Sequence, residues 1–212
     1  MKNIIYFLAL SFLIHSCKKD GKNAIYNTNE KPREVILLGN EKHIKNRKAL
    51  SLFETGLKKI NTKEYESAKG FFTEADKIEP NNIVILDGLA NIESALGNNK
   101  KSTEMLYDNI AKDSTFVNSY LNLSANLMNE KKYQEAKKIL LIGLEKCKKI
   151  NLHQKSSLFL NLAISYNNLN ECDNGLKFPQ QALEISQNDN FAVFAKKIIS
   201  ENNQLRKNNN CH

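Results

Sequence analysis

Val117 to Ile150 reads VNSYLNLSANLMNEKKYQEAKKILLIGLEKCKKI, a block of 34 residues that sets the period of the whole chain. Leu123 and Leu127 lie four apart and Leu121 and Met128 seven apart, the spacing of one helical face rather than of a strand. Working outward, Ala49, Ile83 and Val117 align without a gap, and a fourth copy joins at Ser156 after an insertion of five residues. In the first half of each copy, Leu52, Leu86, Tyr120 and Phe159 form a large column, and Thr55, Leu89, Leu123 and Leu162 a mostly apolar one. Beside them runs a small column, Gly56, Ala90, Ser124 and Ala163, as two closely approaching helices require.

The second half repeats the pattern. Ala68, Ser102, Ala136 and Gly175 are small; Phe72, Leu106 and Leu140 are large; Ala75, Gly143 and Ala182 are small again, interrupted by Asn109. Between these runs stand breakers: Glu79-Pro80-Asn81-Asn82, Leu96-Gly97-Asn98-Asn99, and Asp113-Ser114, which is expected to cap the following helix.

These residues resemble the tetratricopeptide repeat, a helix-turn-helix unit of 34 residues. The block from Val117, with Tyr120, Asn122-Leu123, Tyr133, Ala136 and Leu144, is the best-preserved copy. The first copy matches through Tyr65, Ala68, Phe72, Ala75 and Pro80, and the fourth through Asn161-Leu-Ala163, Tyr166, Ala182-Leu183 and Ile185. The second is degenerate, with Asn99, Ser102 and Asn109 in place of the aromatic and the alanines. The resemblance implies an all-α fold: an α-solenoid, a right-handed superhelix of about four helix pairs near 49–82, 83–116, 117–155 and 156–189. A capping helix over 190–206 follows, with Phe191, Phe194, Ala195, Ile198 and Ile199 on its packing face. Pro179 falls inside an expected second helix and predicts a kink or a late start near Lys177. Glu41 to Lys48 is read as able to prolong the first helix, and 207–212 as a frayed polar tail.

The amino terminus has a different character. Lys2 precedes the apolar run Ile4 to Ile14, which is too short to span a hydrocarbon core of about 30 Å. It has the form of a signal peptide over residues 1–16. Ile14, Ser16 and Cys17, followed by Lys18-Lys19-Asp20, resemble a bacterial lipobox, although His15 departs from it. That resemblance implies cleavage before Cys17, acylation of its thiol and a membrane-anchored chain facing the periplasm or cell surface. Residues 17–40 are polar enough to act as a tether, with Val35 to Leu38 able to dock on the repeat domain, which is placed at 41–206.

Composition narrows the function. The chain has 212 residues, 31 Lys and Arg against 23 Asp and Glu, and a net charge of +8. Export argues against nucleic acid as the partner of that charge, and no basic groove interleaved with aromatics is present. The lysine pairs at 131–132, 137–138, 148–149 and 196–197 fit a solvated outer face on second helices and ends. His43, His153 and His212 share no face spacing with each other or with a cysteine; no metal motif, phosphate loop or nucleophile elbow occurs. No enzyme, metal or cofactor is expected. Cys147 and Cys172 are expected at opposite ends of helix pairs, too far apart to join, while Cys211 on the tail can pair with either.

Of the 30 asparagines, a recurring set falls on the first helices, which line the concave side in this family. Asn122 and Asn129 lie seven apart, Asn161 and Asn168 repeat that pair one unit later, and Asn91 stands nearby. A carboxamide donates and accepts, so such a ladder can hold the backbone of an extended peptide, with Leu121, Met128, Leu160 and Ile164 as apolar contacts. The resemblance offers the other role for Asn122 and Asn161, structural hydrogen bonding. The expected function is therefore a non-enzymatic, membrane-anchored module that binds another protein or scaffolds in the cell envelope, or alternatively captures a peptide or ligand in its groove.

Overall fold

The computed structural model describes residues 43–185 and 189–211. The signal segment, Cys17, the tether, Val35 to Leu38 and His212 lie outside them. The described residues contain nine α-helices and no strand: α1 Arg47–Asn61, α2 Tyr65–Ile78, α3 Ile83–Ala95, α4 Asn99–Lys112, α5 Val117–Asn129, α6 Tyr133–Lys146, α7 Leu152–Asn168, α8 Cys172–Ile185 and α9 Asp189–Lys207. The all-α expectation holds. Two compact units divide the chain, one ending at Asn122 and the other beginning at Leu123.

The repeat is written into the backbone as well as the side chains. Lys63, Gly97, Lys131 and Asn170 all have positive φ, and they recur at intervals of 34, 34 and 39. Each closes the first helix of a pair in the same way, through a bond from the next residue's amide to a carbonyl five residues back: Glu64 to Lys59, Asn98 to Glu93, Lys132 to Leu127, and Glu171 to Tyr166. Asn209 repeats the motif 39 residues after Asn170, with the Asn210 amide bonded to Leu205. Helix α9 is thus more than a cap; it ends like the first helix of a further pair.

Side-chain oxygens begin α1, α3 and α7. Asn46 accepts from the amides of Lys48 and Ala49 at 2.9 and 3.3 Å, which fixes the start of α1 at Arg47 and corrects the extension expected from Glu41. Asn82 accepts from Val84 at 3.0 Å, and Glu79 joins the two starts by accepting from the Asn46 amide at 2.8 Å and from Asn82 Nδ2 at 2.6 Å. Asn151 and Gln154 make a reciprocal capping box for α7. That cap begins α7 four residues ahead of the aligned start of α5, so the insertion mainly lengthens this helix. Asp113 is also corrected: its carboxylate accepts from the Thr115 amide and hydroxyl at 2.9 and 2.7 Å, ahead of α5.

In the first unit, Phe53, Phe72, Val84, Ile85 and Ile92 are buried together. Phe72 is fully buried between two glycines: a Cβ on Gly56 would lie 2.5 Å from its ring, and one on Gly88 would collide with its other edge. The large-against-small columns therefore pack as the sequence implies. In the second unit Phe178 stacks on Tyr166 at 5.5 Å and meets Phe159 at 5.6 Å. Pro179 does not delay its helix as expected: α8 begins at Cys172 and runs through the proline. Proline leaves one carbonyl of the preceding turn without an amide, but Gly175, Phe178, Pro179 and Ala182 are all buried, and their packing holds the helix on.

Up to Cys211 the tail is not frayed. Cys211 is bonded to Cys172, with Cα atoms 5.5 Å apart, and Arg206 pairs with Asp173 at 2.6 Å, while Cys147 is buried and takes no part in the disulfide. Closing a loop with a sequence separation of 39 constrains the unfolded chain by about 4 kcal/mol on the chain-entropy model.

The packing of Phe72 gives a paired test. Gly88→Ala should lower stability by about 1–3 kcal/mol, because the new methyl overpacks the ring. Gly70→Ala, on the same helix as Phe72 but with nothing within 4 Å of the added carbon, should raise it by up to about 1 kcal/mol. Chemical denaturation of the two variants reads the difference; equal effects would contradict the role given to Gly88.

Candidate functional site

Polar side chains collect where successive first helices meet. In the first unit the centre is Asp87 on α3, a carboxylate with no exposure. It accepts from Ser119 Oγ at 3.0 Å and Asn122 Nδ2 at 2.9 Å on α5, with Asn91 Nδ2 one turn along α3 at 3.4 Å. Burial pushes its pKa up to about 7, and the bonds from Ser119 and Asn122 only partly oppose that rise. The sequence carried one sign of it: Asp87 interrupts the most hydrophobic stretch of the described chain, Ile83 to Ile92. Ser119 had no comparable sign.

A second buried carboxylate behaves in the opposite way. Glu93, 3% exposed at its side chain, pairs with Lys69 at 3.0 Å and Lys101 at 2.7 Å and accepts from Asn98 at 2.7 Å. Burial would raise its pKa, but the hydrogen bonds of Lys101, Asn98 and Lys69 outweigh it and bring the value down to about 2. This network joins α2, α3 and the start of α4.

In the second unit, Asn161 donates to Ser124 Oγ at 3.3 Å while its buried Oδ1 meets no donor among the described residues. Ser165 donates to the Asn161 carbonyl at 3.0 Å and approaches Met128 Sδ at 3.5 Å. Asn168 turns back on its own helix, donating to the Ile164 carbonyl at 2.9 Å, and Asn129 is exposed. Asn167 and Asn202, singled out by no motif, form the next polar contact: Asn202 Nδ2 donates to Asn167 Oδ1 at 2.7 Å and to the Cys172 carbonyl at 2.9 Å.

The expected groove contacts need correction. Met128, Leu160 and Ile164 are 2%, 0% and 0% exposed, so they are core residues rather than an apolar lining. Asn161, at 4%, is nearly as enclosed. The reason is the position of α7, which packs against α6, α8 and α9 and is buried around almost its whole circumference from Gln154 to Asn167. Leu160 also occupies the same repeat column as Asp87, and both are fully buried, whereas Leu121 in that column is half-buried. Asn91 and Asn122 are half-buried too. Of the outer lysines, Lys137 is an exception to simple solvation: it bonds Glu171 at 2.6 Å and lies 5.2 Å from the Tyr166 ring.

The two carboxylates set opposite pH dependences. The folded unit binds the Asp87 proton more tightly than the unfolded chain does, so that stability is fully present below about pH 4 and is lost as pH rises through about 7. Glu93 contributes above its unfolded value of 4.5, and its contribution is lost as pH falls through about 2. Unfolding followed from pH 2 to 8 should therefore give greatest stability near pH 4–5. Asp87→Asn should flatten the fall toward pH 8. Glu93→Gln should flatten the acid limb and cost about 1–3 kcal/mol at neutral pH, since it removes the charge from the hydrogen bonds with Lys69 and Lys101. A wild-type midpoint that is level between pH 5 and 8 would contradict the assignment to Asp87.

No family model matches the sequence, and no curated protein matches it. Solved structures do. A thermophilic TPR protein of Thermus thermophilus superimposes with a TM-score of 0.61 at 17% identity, over 71% of this chain and 80% of its own. PilF of Pseudomonas aeruginosa gives 0.61 at 18% identity, over 78% of each chain. YrrB, described as a TPR protein with an unusual peptide-binding site, gives 0.53 at 19% identity, over 70% of this chain and 74% of its own. At these identities the likeness concerns architecture: the helix pairs have the tetratricopeptide-repeat fold.

Proposed function

We propose that this chain is a non-enzymatic protein-interaction module, held on a membrane of a bacterial cell envelope by lipid on Cys17. The observation that carries the interaction reading is the repeat itself. Equivalent side chains are given over to packing in every pair, as with Ala68, Ser102, Ala136 and Gly175, all buried, and the helices offer their outer surfaces instead. Such surfaces suit a folded partner. The lysines 131, 132, 138, 148, 149, 196 and 197 are exposed and favour an acidic one. The anchoring part rests on the lipobox-like Ile14-His15-Ser16-Cys17 alone. Two acyl chains hold a protein stably where one does not.

A second reading, capture of an extended peptide, draws on Asn161. Its Oδ1 is a buried acceptor without a donor among the described residues, and a peptide amide would satisfy it only on parting the side chains that enclose it. The burial of Leu160, Ile164 and Met128 favours the folded partner over this reading, because the expected apolar floor of a groove is already occupied.

Two measurements test these readings. Wild-type protein should fractionate with membranes at a mass showing acylation, and Cys17→Ala should lose both; a Cys17→Ala form that stays on the membrane at its processed size excludes the lipid anchor. Cross-linking in membranes should recover one reproducible protein partner, and Asn161→Ala should leave that cross-link intact. Loss of a bound peptide in Asn161→Ala, with no protein partner recovered, would replace the first reading with the second.

A further inference from the structure

The covalent bond between Cys172 and Cys211 joins equivalent points of successive helix pairs. Cys172 is the first residue of α8, as Tyr65, Asn99 and Tyr133 are of α2, α4 and α6, and Cys211 follows it at a separation of 39, the interval by which the Asn209 turn follows the Asn170 turn. The disulfide therefore sits where the end of α9 stacks on the start of α8. The rest of that contact is unusually polar. The packing stripe of α9 runs Phe191, Ala195, Ile198, Asn202 and Leu205, all buried, so a carboxamide occupies a core place in its last turns. Asn202 is held there by Asn167 and by the Cys172 carbonyl, and Arg206 bonds both Asn202 at 3.1 Å and Asp173 at 2.6 Å. The Asp173 side chain is 93% exposed, and an ion pair so open to water adds little. Beyond Lys207 the residues Asn208 and Asn209 are exposed, and Cys211 supplies the covalent hold.

We propose that the Cys172–Cys211 disulfide is a redox latch: it locks the C-terminal turns of α9 onto α7 and α8, and thiol–disulfide exchange releases them. The two sulfurs are not equivalent. Cys172 is 1% exposed while Cys211 is half-buried, so an incoming thiolate reaches Cys211 Sγ first. A bond forms between them, the Cys172–Cys211 bond breaks, and its electron pair stays on Cys172 Sγ, which takes a proton. A second external thiol then displaces the first from Cys211, leaving two protein thiols and an external disulfide. Closing the latch runs this in reverse, with a small-molecule disulfide accepting the two electrons. The N-terminal part of α9 keeps its apolar anchors Phe191, Ala195 and Ile198 throughout, so release is confined to the helix end.

The test uses the full chain equilibrated in glutathione disulfide or in glutathione. After non-reducing tryptic digestion, the oxidised protein should yield peptide 156–177 linked to peptide 208–212. Hydrogen exchange read by mass spectrometry should then show the amides of 200–211 exchanging about tenfold faster or more in the reduced protein, with α7 and the first turns of α9 unchanged. Cys211→Ser, at a half-buried tail position, should reproduce the reduced pattern in either buffer. Absence of the linked peptide, unchanged exchange over 200–211 on reduction, or equal loosening throughout residues 123–211 would each overturn the latch.

Discussion

Every helix pair in this protein depends on one tight turn. After the last residues of each first helix, a single residue enters the left-handed region and the following amide reaches back five positions to close the helix end. This bond turns the chain back on itself, so the second helix packs beside the first. Only Gly97 takes that conformation without strain; Asn170 tolerates it, while Lys63 and Lys131 adopt it at some cost. That two lysines are held there shows how much the packing on either side contributes. Phe72 between Gly56 and Gly88 is the clearest case of such packing, since neither glycine can gain a carbon without moving the ring.

Burial then decides which polar residues become structural. Asp87 and Glu93 lie six residues apart on α3, both removed from water, and their surroundings drive them to opposite protonation behaviour. Asp87 has hydroxyl and amide donors about it and rises to about 7; Glu93 has two ammonium groups and an amide and falls to about 2. A pair of carboxylates on one helix is thus tuned by what the neighbouring helices bring, a general route to distinct roles for one residue type. The same logic applies to the asparagines. Asn122 is committed to Asp87 and Asn161 to Ser124, so two rungs of the ladder that suggested a ligand are ties between first helices, and Asn202 with Asn167 adds a tie of the same kind outside it.

The C-terminal end joins these themes. Helix α9 closes with the same left-handed turn as the repeat pairs, places an amide where they place apolar or small residues, and secures the result with a disulfide. Polar seams specify register but hold weakly when water can enter, whereas a covalent link holds firmly and responds to redox conditions. The envelope location proposed for this chain would suit that combination, since disulfides form and persist there.

The amino-acid sequence by itself determined the helical class, the period and the large and small columns, because a spacing of 34 repeated with matching volumes admits little else. It also marked the breaks at Asn82 and Gly97, where local chemistry acts within a few residues. Tertiary structure alone decided the rest. No spacing showed that Leu160 and Ile164 would be enclosed, since that depends on α7 being packed by three other helices. Pro179 read as a kink or a late start because its missing amide is a local fact, yet α8 starts at Cys172 and the burial around the proline holds it on. The pairing of Cys211 with Cys172 was open for the same reason: it required the turn at Asn209 and the docking of α9, contacts that only the folded chain brings within reach.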